Sequence, residues 1–281
     1  MVERRLDVYC LSNMGLHVLI DGHSILIDAL NNGEQRPYAG IPLDMAQTII
    51  RGGPPYERVD MMLISHHHED HFDAGLVARF VLERPHVPVY SSPQVVDAVA
   101  RLAPEMDSPV SIKPKLMHTV SFSKGRLGVT AVALRHAGPQ YADILNLAFI
   151  VEGSHSIIFA GDAAFSEENM ERLAELCPCP ALLVIPFPWF SVKTACQRMR
   201  HILRPSRVLI THLPCEEGDR WGWNRAVRNA LALEAFSPIC CAGIPRVSGN
   251  YFENIRGAGT MRERTYEIKI EGVPIIVTKK R

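Results

Sequence analysis

Two stretches far apart in the chain share one design. GLHVLIDGHSILIDAL at 15 to 30 is an apolar run, an acidic residue with glycine, the pair His-Ser, a second apolar run and then Asp28. LNLAFIVEGSHSIIFAGDAA at 145 to 164 repeats that order and ends on Asp162. Each reads as a β-hairpin, because the apolar runs suit a pleated, half-buried surface and Asp21-Gly22 tolerates the positive φ of a tight turn. The shared order of elements points to an internal duplication, weak in sequence but consistent in layout.

Between and after the hairpins, strand-like runs alternate with segments of helical period. RVDMMLIS leads to a helix around DAGLVARFVLER, and VPVYSS to one around PQVVDAVARLA. LMHTVSFS and RLGVTAVALRH, separated by Lys124 and Gly125, read as a further hairpin. The second half continues with helices near SEENMERLAEL, KTACQRMRHIL and NRAVRNALALEAF around the strands ALLVIPF and RVLIT. Hairpins combined with strand-helix units predict mixed sheets covered by helices, an α/β (α+β) arrangement. The Pro/Gly clusters RGGPP and CPCP are loop-sized, so residues 1–260 are expected to form one domain. Residues 261–281 read as a terminal strand or tail packed on the core or at a subunit contact.

Charge narrows the partners. Thirty basic residues against 30 acidic ones give a formal net charge of zero, so the chain carries no electrostatic footprint for nucleic acid or an anionic membrane. A small-molecule substrate is the expected partner, with a homo-oligomer allowed. No run of about 18 apolar residues occurs, and MVERRLDVYC carries no apolar signal region, which gives a cytoplasmic expectation. Seven unevenly spaced cysteines resemble no disulfide framework and are expected to be free thiols. The CPC and CC pairs supply only two ligands each, short of a metal site.

The segment SHHHEDHFD at 65 to 73 follows the apolar run VDMMLI with no neutral turn residue between. If Ser65 to His68 continues the strand, His66 and His68 face the same side while His67 and Glu69 point away. If a helix begins near Asp70, Asp70 and His71 sit together on its first turn. A polar loop would also place histidines and acids at a strand end, so the test is whether other strand ends deliver ligands to the same place. Three do: RLGVTAVAL is followed by Arg135 and His136, HSIIFAG by Asp162, and RVLIT by His212. Carboxyl ends of strands are where α/β sheets place their sites.

These motifs resemble those of the metallo-β-lactamase superfamily. HHHEDH at 66 to 71 is similar to its H-x-H-x-D-H signature, and His136, Asp162 in FAGDAA, His212 in LITHL and Asp28 in LIDAL match later and earlier family positions in order, across residues 15 to 215. GHSILID and LRPSRVLITH look most like the branch that includes L-ascorbate-6-phosphate lactonase. The resemblance implies a four-layer αββα sandwich with two mixed sheets. It implies two divalent metal ions, one on His66, His68 and His136 and one on Asp70, His71 and His212, bridged by Asp162, with Asp28 orienting a ligand from behind. Ala163 departs from the Thr or Ser found in many members and puts one supporting hydrogen bond in question.

A water between two such cations loses a proton near neutral pH, and the metal-bridging hydroxide is placed to attack a lactone, ester, amide or phosphodiester. Asp70 is the expected catalytic carboxylate, orienting the nucleophile and carrying a proton to the leaving group. Zinc is the first expectation for this imidazole-rich set, and manganese or iron also suit it. Two other readings stand beside the hydrolase: an iron-dependent redox enzyme of the same fold, and a metal-binding protein without catalysis. Asp219, Arg220, Trp221 and Trp223 read either as a substrate wall or as packing, Tyr141 as a possible substrate contact, and Asn146 as that, a turn residue or a strand start. His17, His23, His118, His155 and His201 are expected to be structural or exposed, and Met14, Met61 and Met62 to be core.

Overall fold

The turn expected at Asp21-Gly22 forms, with φ of 52° and 82°, and joins β2 (Leu16–Ile20) to β3 (His23–Ile27) with Ile20 opposite His23. Positive φ at both central residues is what a two-residue hairpin requires, since its twist then matches that of the strands. Strand β1 (Leu6–Cys10) completes an antiparallel meander. The computed structural model describes residues 6–32, 37–233, 239–241 and 268–271.

From β3 the first sheet continues in parallel through β4 (Met61–Leu63), β5 (Val89–Ser91) and β6 (Pro109–Ser111). Its crossovers carry α1 (Leu43–Arg51), α2 (Ala74–Glu83) and α3 (Pro93–Ala100). The second sheet opens with β7 (Thr119–Lys124), β8 (Leu127–Leu134), β9 (Asn146–Glu152) and β10 (Ser156–Phe159), all antiparallel. The β7–β8 turn is Gly125-Arg126, one residue later than the sequence expectation, because Lys124 pairs with Leu127. Parallel strands β11 (Leu182–Pro186), β12 (Val208–Thr211) and β13 (Ile239–Cys241) follow, with helices α4 (Glu167–Leu176), α5 (Pro188–Ser191), α6 (Lys193–Ile202) and α7 (Trp223–Leu233).

Strand β14 (Ile268–Glu271) pairs in parallel with β1 and gives the first sheet its seventh strand. The remainder of the C-terminal segment expected as a strand or tail, 261–267 and 272–281, lies outside the described residues.

The duplication is plain in the pairing. β1 to β6 run antiparallel, antiparallel, then three parallel steps, and β8 to β13 run the same way. The two hairpin tips meet where the Asp21 carboxylate accepts from the backbone N–H and hydroxyl of Ser154.

Three apolar layers hold the stack together. One lies between the sheets, with Leu16, Ile25 and Leu63 against Phe149, Phe159 and Val184. A second packs α1 to α3 on the outer face of the first sheet through Ile49, Phe80 and Val99, and a third packs α4 to α7 on the second through Met170, Trp189, Met199 and Val227. Alternation along each strand sends neighbours into different layers, as with Leu26 and Ile27. The result is the four-layer αββα sandwich with two mixed sheets expected from the sequence. No helix among the described residues is long and apolar enough to cross a membrane.

Candidate metal centre

All the expected ligands lie on connections that leave one edge of the two sheets. β4 stops at Leu63, so His66 and His68 do not meet through strand alternation. They meet because the loop turns back at His68, whose carbonyl accepts from the backbone N–H of His71 and Phe72 at 3.0 and 2.9 Å. α2 starts at Ala74 rather than near Asp70, and Asp73 caps it by accepting from Leu76 N at 2.7 Å. Asp70 and His71 therefore sit on a tight turn whose backbone is not committed to a helix.

The second sheet supplies the other side. An isolated bridge pairs His136 with Ala163, and Ala137 N donates to Asp162 O at 2.8 Å, so the loops after β8 and β10 are zipped together. Gly161 makes this approach possible: at φ 55°, a Cβ there would lie 2.6 Å from Asn146 Oδ1 and 3.0 Å from Ser65 Cβ. Ala163, the departure from the family pattern, contributes its carbonyl to Trp189 Nε1 at 2.7 Å. His212 follows β12 with φ 61° and Asp28 follows β3 with φ 46°. Left-handed backbone at non-glycine residues costs free energy that the surrounding contacts must offset.

The structure brings seven predicted site residues into two groups, His66, His68, His136 and Asp162, and Asp70, His71 and His212, with donor atoms within 4.8 Å of one another in each. His66 Nε2 is 3.0 Å from His68 Nδ1 and 3.3 Å from His136 Nε2. Asp162 lies between the groups, its Oδ1 3.3 Å from His71 Nε2 and its Oδ2 3.3 Å from His212 Nε2 and 3.7 Å from His136 Nε2. Asp70 Oδ2 is 2.9 Å from His212 Nε2. Ligands about 2.0–2.2 Å from a tetrahedral ion stand roughly 3.3–3.6 Å apart, so these separations already suit a cation. His71 Nε2, Asp162 Oδ1 and His212 Nε2 are buried and make no well-aligned hydrogen bond despite these close approaches, an arrangement that an ion between them would satisfy.

Support from behind fixes which nitrogen faces inward. Asp28, fully buried, accepts from Ser65 N at 2.7 Å, Ser65 Oγ at 2.6 Å and His71 Nδ1 at 2.7 Å. Ser65 Oγ in turn accepts from His66 Nδ1 at 3.0 Å, and Ala137 O accepts from His136 Nδ1 at 2.7 Å. With each Nδ1 proton committed, the Nε2 lone pairs of His66, His71 and His136 are free for an ion.

Electrostatics tell the same story with protons as the only cations. Burial lowers the pKa of His66 and His136, and takes His68 to about 4, so all three are neutral and able to ligate. Burial also opposes charge on His71, but Asp162 and Asp70 outweigh it and raise its pKa to about 10. His212 is raised well above its usual value against the same burial penalty, chiefly by Asp162. Burial works against ionising Asp162, yet His212 and His71 hold it well below the usual carboxylate range, and Asp70 is lowered against burial mainly by His71 and His212. Two imidazoliums thus stand where the carboxylates call for positive charge.

Other candidates sort clearly. His67 and Glu69 fall outside both groups, and Glu69 is exposed. Asn146 is a support, its Oδ1 accepting from Asp162 N at 2.9 Å and its Nδ2 donating to Ala160 O. Tyr141 lies over the rim, its ring 4.8 Å from His68 and 5.0 Å from His136. Asp219 is a helix cap, accepting from Trp223 N and Asn224 N. Trp223 packs on Phe187, and Trp221 stacks on Trp223 while remaining 68% exposed. Cys177 and Cys215 are buried free thiols and Cys179 an exposed one, and Cys196 is buried as well.

Two contributors were missed. Ser65 opens the histidine segment but gives no signal of its own, and Tyr38, whose ring lies 4.2 Å from His212, sits in the Pro/Gly loop PYAG. Only the pairing of that loop with the β12 exit, through Cys215 N and Pro37 O at 2.9 Å, brings Tyr38 close.

An αββα sandwich with a His/Asp cluster at one edge defines a class of metal-binding folds. A family model described as the beta-lactamase superfamily domain matches residues 23–212, and the chain belongs to that superfamily. No curated protein matches the sequence. Among solved structures, Igni18, a metallo hydrolase of the archaeon Ignicoccus hospitalis, is similar with a TM-score of 0.54 and 17% identity, over 79% of this chain and 90% of that one. An isothiocyanate hydrolase from Delia radicum gut bacteria gives 0.53 and 15%, over 85% and 96%. A mutant of the CmlA beta-hydroxylase, a diiron enzyme of Streptomyces venezuelae, gives 0.52 and 16%, over 84% and 52%.

Proposed function

We propose that the chain is a binuclear metal-dependent hydrolase. His66, His68 and His136 would hold one divalent cation and Asp70, His71 and His212 the other, with Asp162 shared. Zinc is the first expectation. The observation that carries this reading is the convergence of seven donors from four strand ends, three of their atoms buried without a well-aligned hydrogen bond. Bound there, two cations supply Lewis-acid polarisation of the substrate and lower the pKa of water to near neutrality.

The chain's own groups do the positioning. Asp28 and Ser65 hold His71 and His66 from behind at Nδ1, which turns their Nε2 atoms inward. Asp70, beside His212, would orient the nucleophile and carry a proton to the leaving group. Tyr141 stands at the exposed rim, where a substrate arrives next to His68 and His136. A small lactone, ester, amide or phosphodiester fits the zero net charge better than nucleic acid, and the lactonase-like branch is the narrower assignment. The cytoplasm is the proposed compartment. The hydrolase neighbours support the chemistry, and iron-dependent redox chemistry in the same cage stands as the second reading, with a beta-hydroxylase among proteins of similar fold.

Elemental analysis of protein purified without chelator or added metal, followed by an ester and phosphodiester screen with that metal restored, tests the proposal. About two equivalents of metal and hydrolysis that follows metal content are expected, with both lost in His68→Ala. Less than one equivalent, with His68→Ala indistinguishable from wild type, would overturn it. Iron with oxygen-dependent turnover would select the second reading, and full metal content without turnover a non-catalytic metal protein.

A further inference from the structure

Behind His136 the fold leaves a cavity of about 530 Å3. Its base is Leu134, buried at the end of β8, and its walls include Ile144, Leu145 and Ala164. Asp143 and Arg135 are exposed and mark its lip. His136 lines the cavity and also belongs to the ligand cluster, so the cavity begins where the metal centre ends.

A single connection serves both. Between β8 and β9, Gly138 turns at φ 88° into the short helical turn Pro139–Tyr141, and Tyr141 leans over His68 and His136. The same connection gives Pro139, Ala142, Ile144 and Leu145 to the cavity. The cavity is open to solvent on one side, and its volume falls within the range of pockets that take small ligands, about 300–1,000 Å3.

The walls also state what they accept. The leucine, isoleucine, proline and alanine side chains offer no hydrogen bonds, and the hydroxyl of Ser166, which also lines the cavity, is turned to the start of α4, where it accepts from Asn169 N at 3.3 Å. The cation at the lip is engaged, Arg135 Nε donating to Glu168 at 2.9 Å, and Asp143 would repel an anion. We infer that the cavity is the subsite for an uncharged apolar arm of the substrate, an aryl ring or medium-length acyl chain attached to the carbonyl that reacts beside His136. This inference rests on the hydrolase reading and adds the substrate class to it.

Metal-reconstituted protein is assayed on p-nitrophenyl acetate, butyrate and octanoate. Each methylene that enters an apolar site contributes up to about fourfold. At least a tenfold rise in kcat/KM from acetate to octanoate is therefore expected. Ala164→Leu and Ala142→Trp fill the cavity, and each should lower the octanoate-to-acetate ratio at least tenfold. Ala142 is exposed, so that variant keeps the fold. Calorimetric titration with hexanamide and acetamide reads the subsite without turnover, with hexanamide alone binding and both variants weakening it. Ester hydrolysis indifferent to chain length and to both variants overturns the subsite and leaves the hydrolase standing. Hexanamide binding that the variants abolish, with no ester turned over, supports the subsite and overturns the ester reaction. Failure of hexanamide to bind, with no chain-length preference, overturns the subsite.

Discussion

Replacing Asp28 by asparagine changes one atom of a buried side chain and should disable the metal centre without unfolding the protein. The wild-type carboxylate accepts three hydrogen bonds, from Ser65 N, Ser65 Oγ and His71 Nδ1. In Asp28→Asn the amide oxygen can keep Ser65 N, leaving the NH2 group against the other two. The serine hydroxyl can rotate and accept. His71 Nδ1 can accept only by moving its proton to Nε2, the atom that lies 3.3 Å from Asp162 and is predicted to bind metal. Loss of such an orienting partner typically weakens metal binding about 10- to 100-fold, or about 1.4–2.7 kcal/mol. The metal-free protein should also lose about 1.5–3 kcal/mol with one charge-assisted hydrogen bond. Chelator competition measures the first quantity and denaturant unfolding the second. Asp60→Asn is the control, because Asp60 also accepts a backbone hydrogen bond, from Ser24 N, but away from the site. Metal affinity of Asp28→Asn within threefold of wild type would refute the assigned tautomer and the role of Asp28.

Two further outcomes follow from the ionisation of buried histidines. In chelator-stripped protein the folded pKa of His71, about 10, exceeds the unfolded value near 6.5. Its contribution is complete below pH 6.5 and is lost as pH rises through 10, so denaturant titrations at pH 6, 8 and 10 should show falling stability. Flat stability across that range would contradict the carboxylate environment assigned to it. His17, away from the cluster, has the opposite sign: it is buried with Nε2 2.8 Å from Ser24 Oγ, and burial lowers its pKa to about 4. Stability present above pH 6.5 is therefore lost as pH falls through 4, by up to about 3 kcal/mol. His17→Phe should flatten this acid limb of a Tm-versus-pH profile, and an unchanged limb would place the acid sensitivity elsewhere.

What was legible in the sequence had a local physical cause. Asp21-Gly22 announces its hairpin because few other dipeptides accept two positive φ values. The ligands were legible because an apolar run that changes directly to HHHEDH has no structural need to do so. The details that failed were those set by neighbours. Nothing in SHHHEDHFD says that the strand stops at Leu63, which pairing with adjacent strands decides, whereas the helix expected around DAGLVARFVLER begins at Ala74 behind its Asp73 cap. Ser65 and Tyr38 were illegible as parts of a site, and the supporting role of Asn146 could not be told from a substrate contact, because each acts through a partner at least one element away: Asp28, His212 and Asp162.

The duplication explains why the centre is lopsided. β3 and β10 occupy equivalent positions in the two sheets and each leads to an aspartate, but Asp162 faces the cluster as a candidate ligand while Asp28 stands behind it. The difference arises one strand over. After β4, partner of β3, the chain delivers His66, His68, Asp70 and His71, and so Asp28 has imidazole and backbone donors to accept from. After β11, partner of β10, it delivers PFPWF, whose Trp189 donates to Ala163 O and fixes the loop that carries Asp162. The next strands reverse the assignment, since β12 leads to His212 while the equivalent β5 leads to Ser92, which joins neither ligand group. Two similar halves packed face to face thus need not contribute similar ligands: four come from one crossover of the first half and one from each of three exits of the second. Changes on the Ser65–His71 loop should therefore remove several ligands together, whereas changes at His136 or His212 act on one group each.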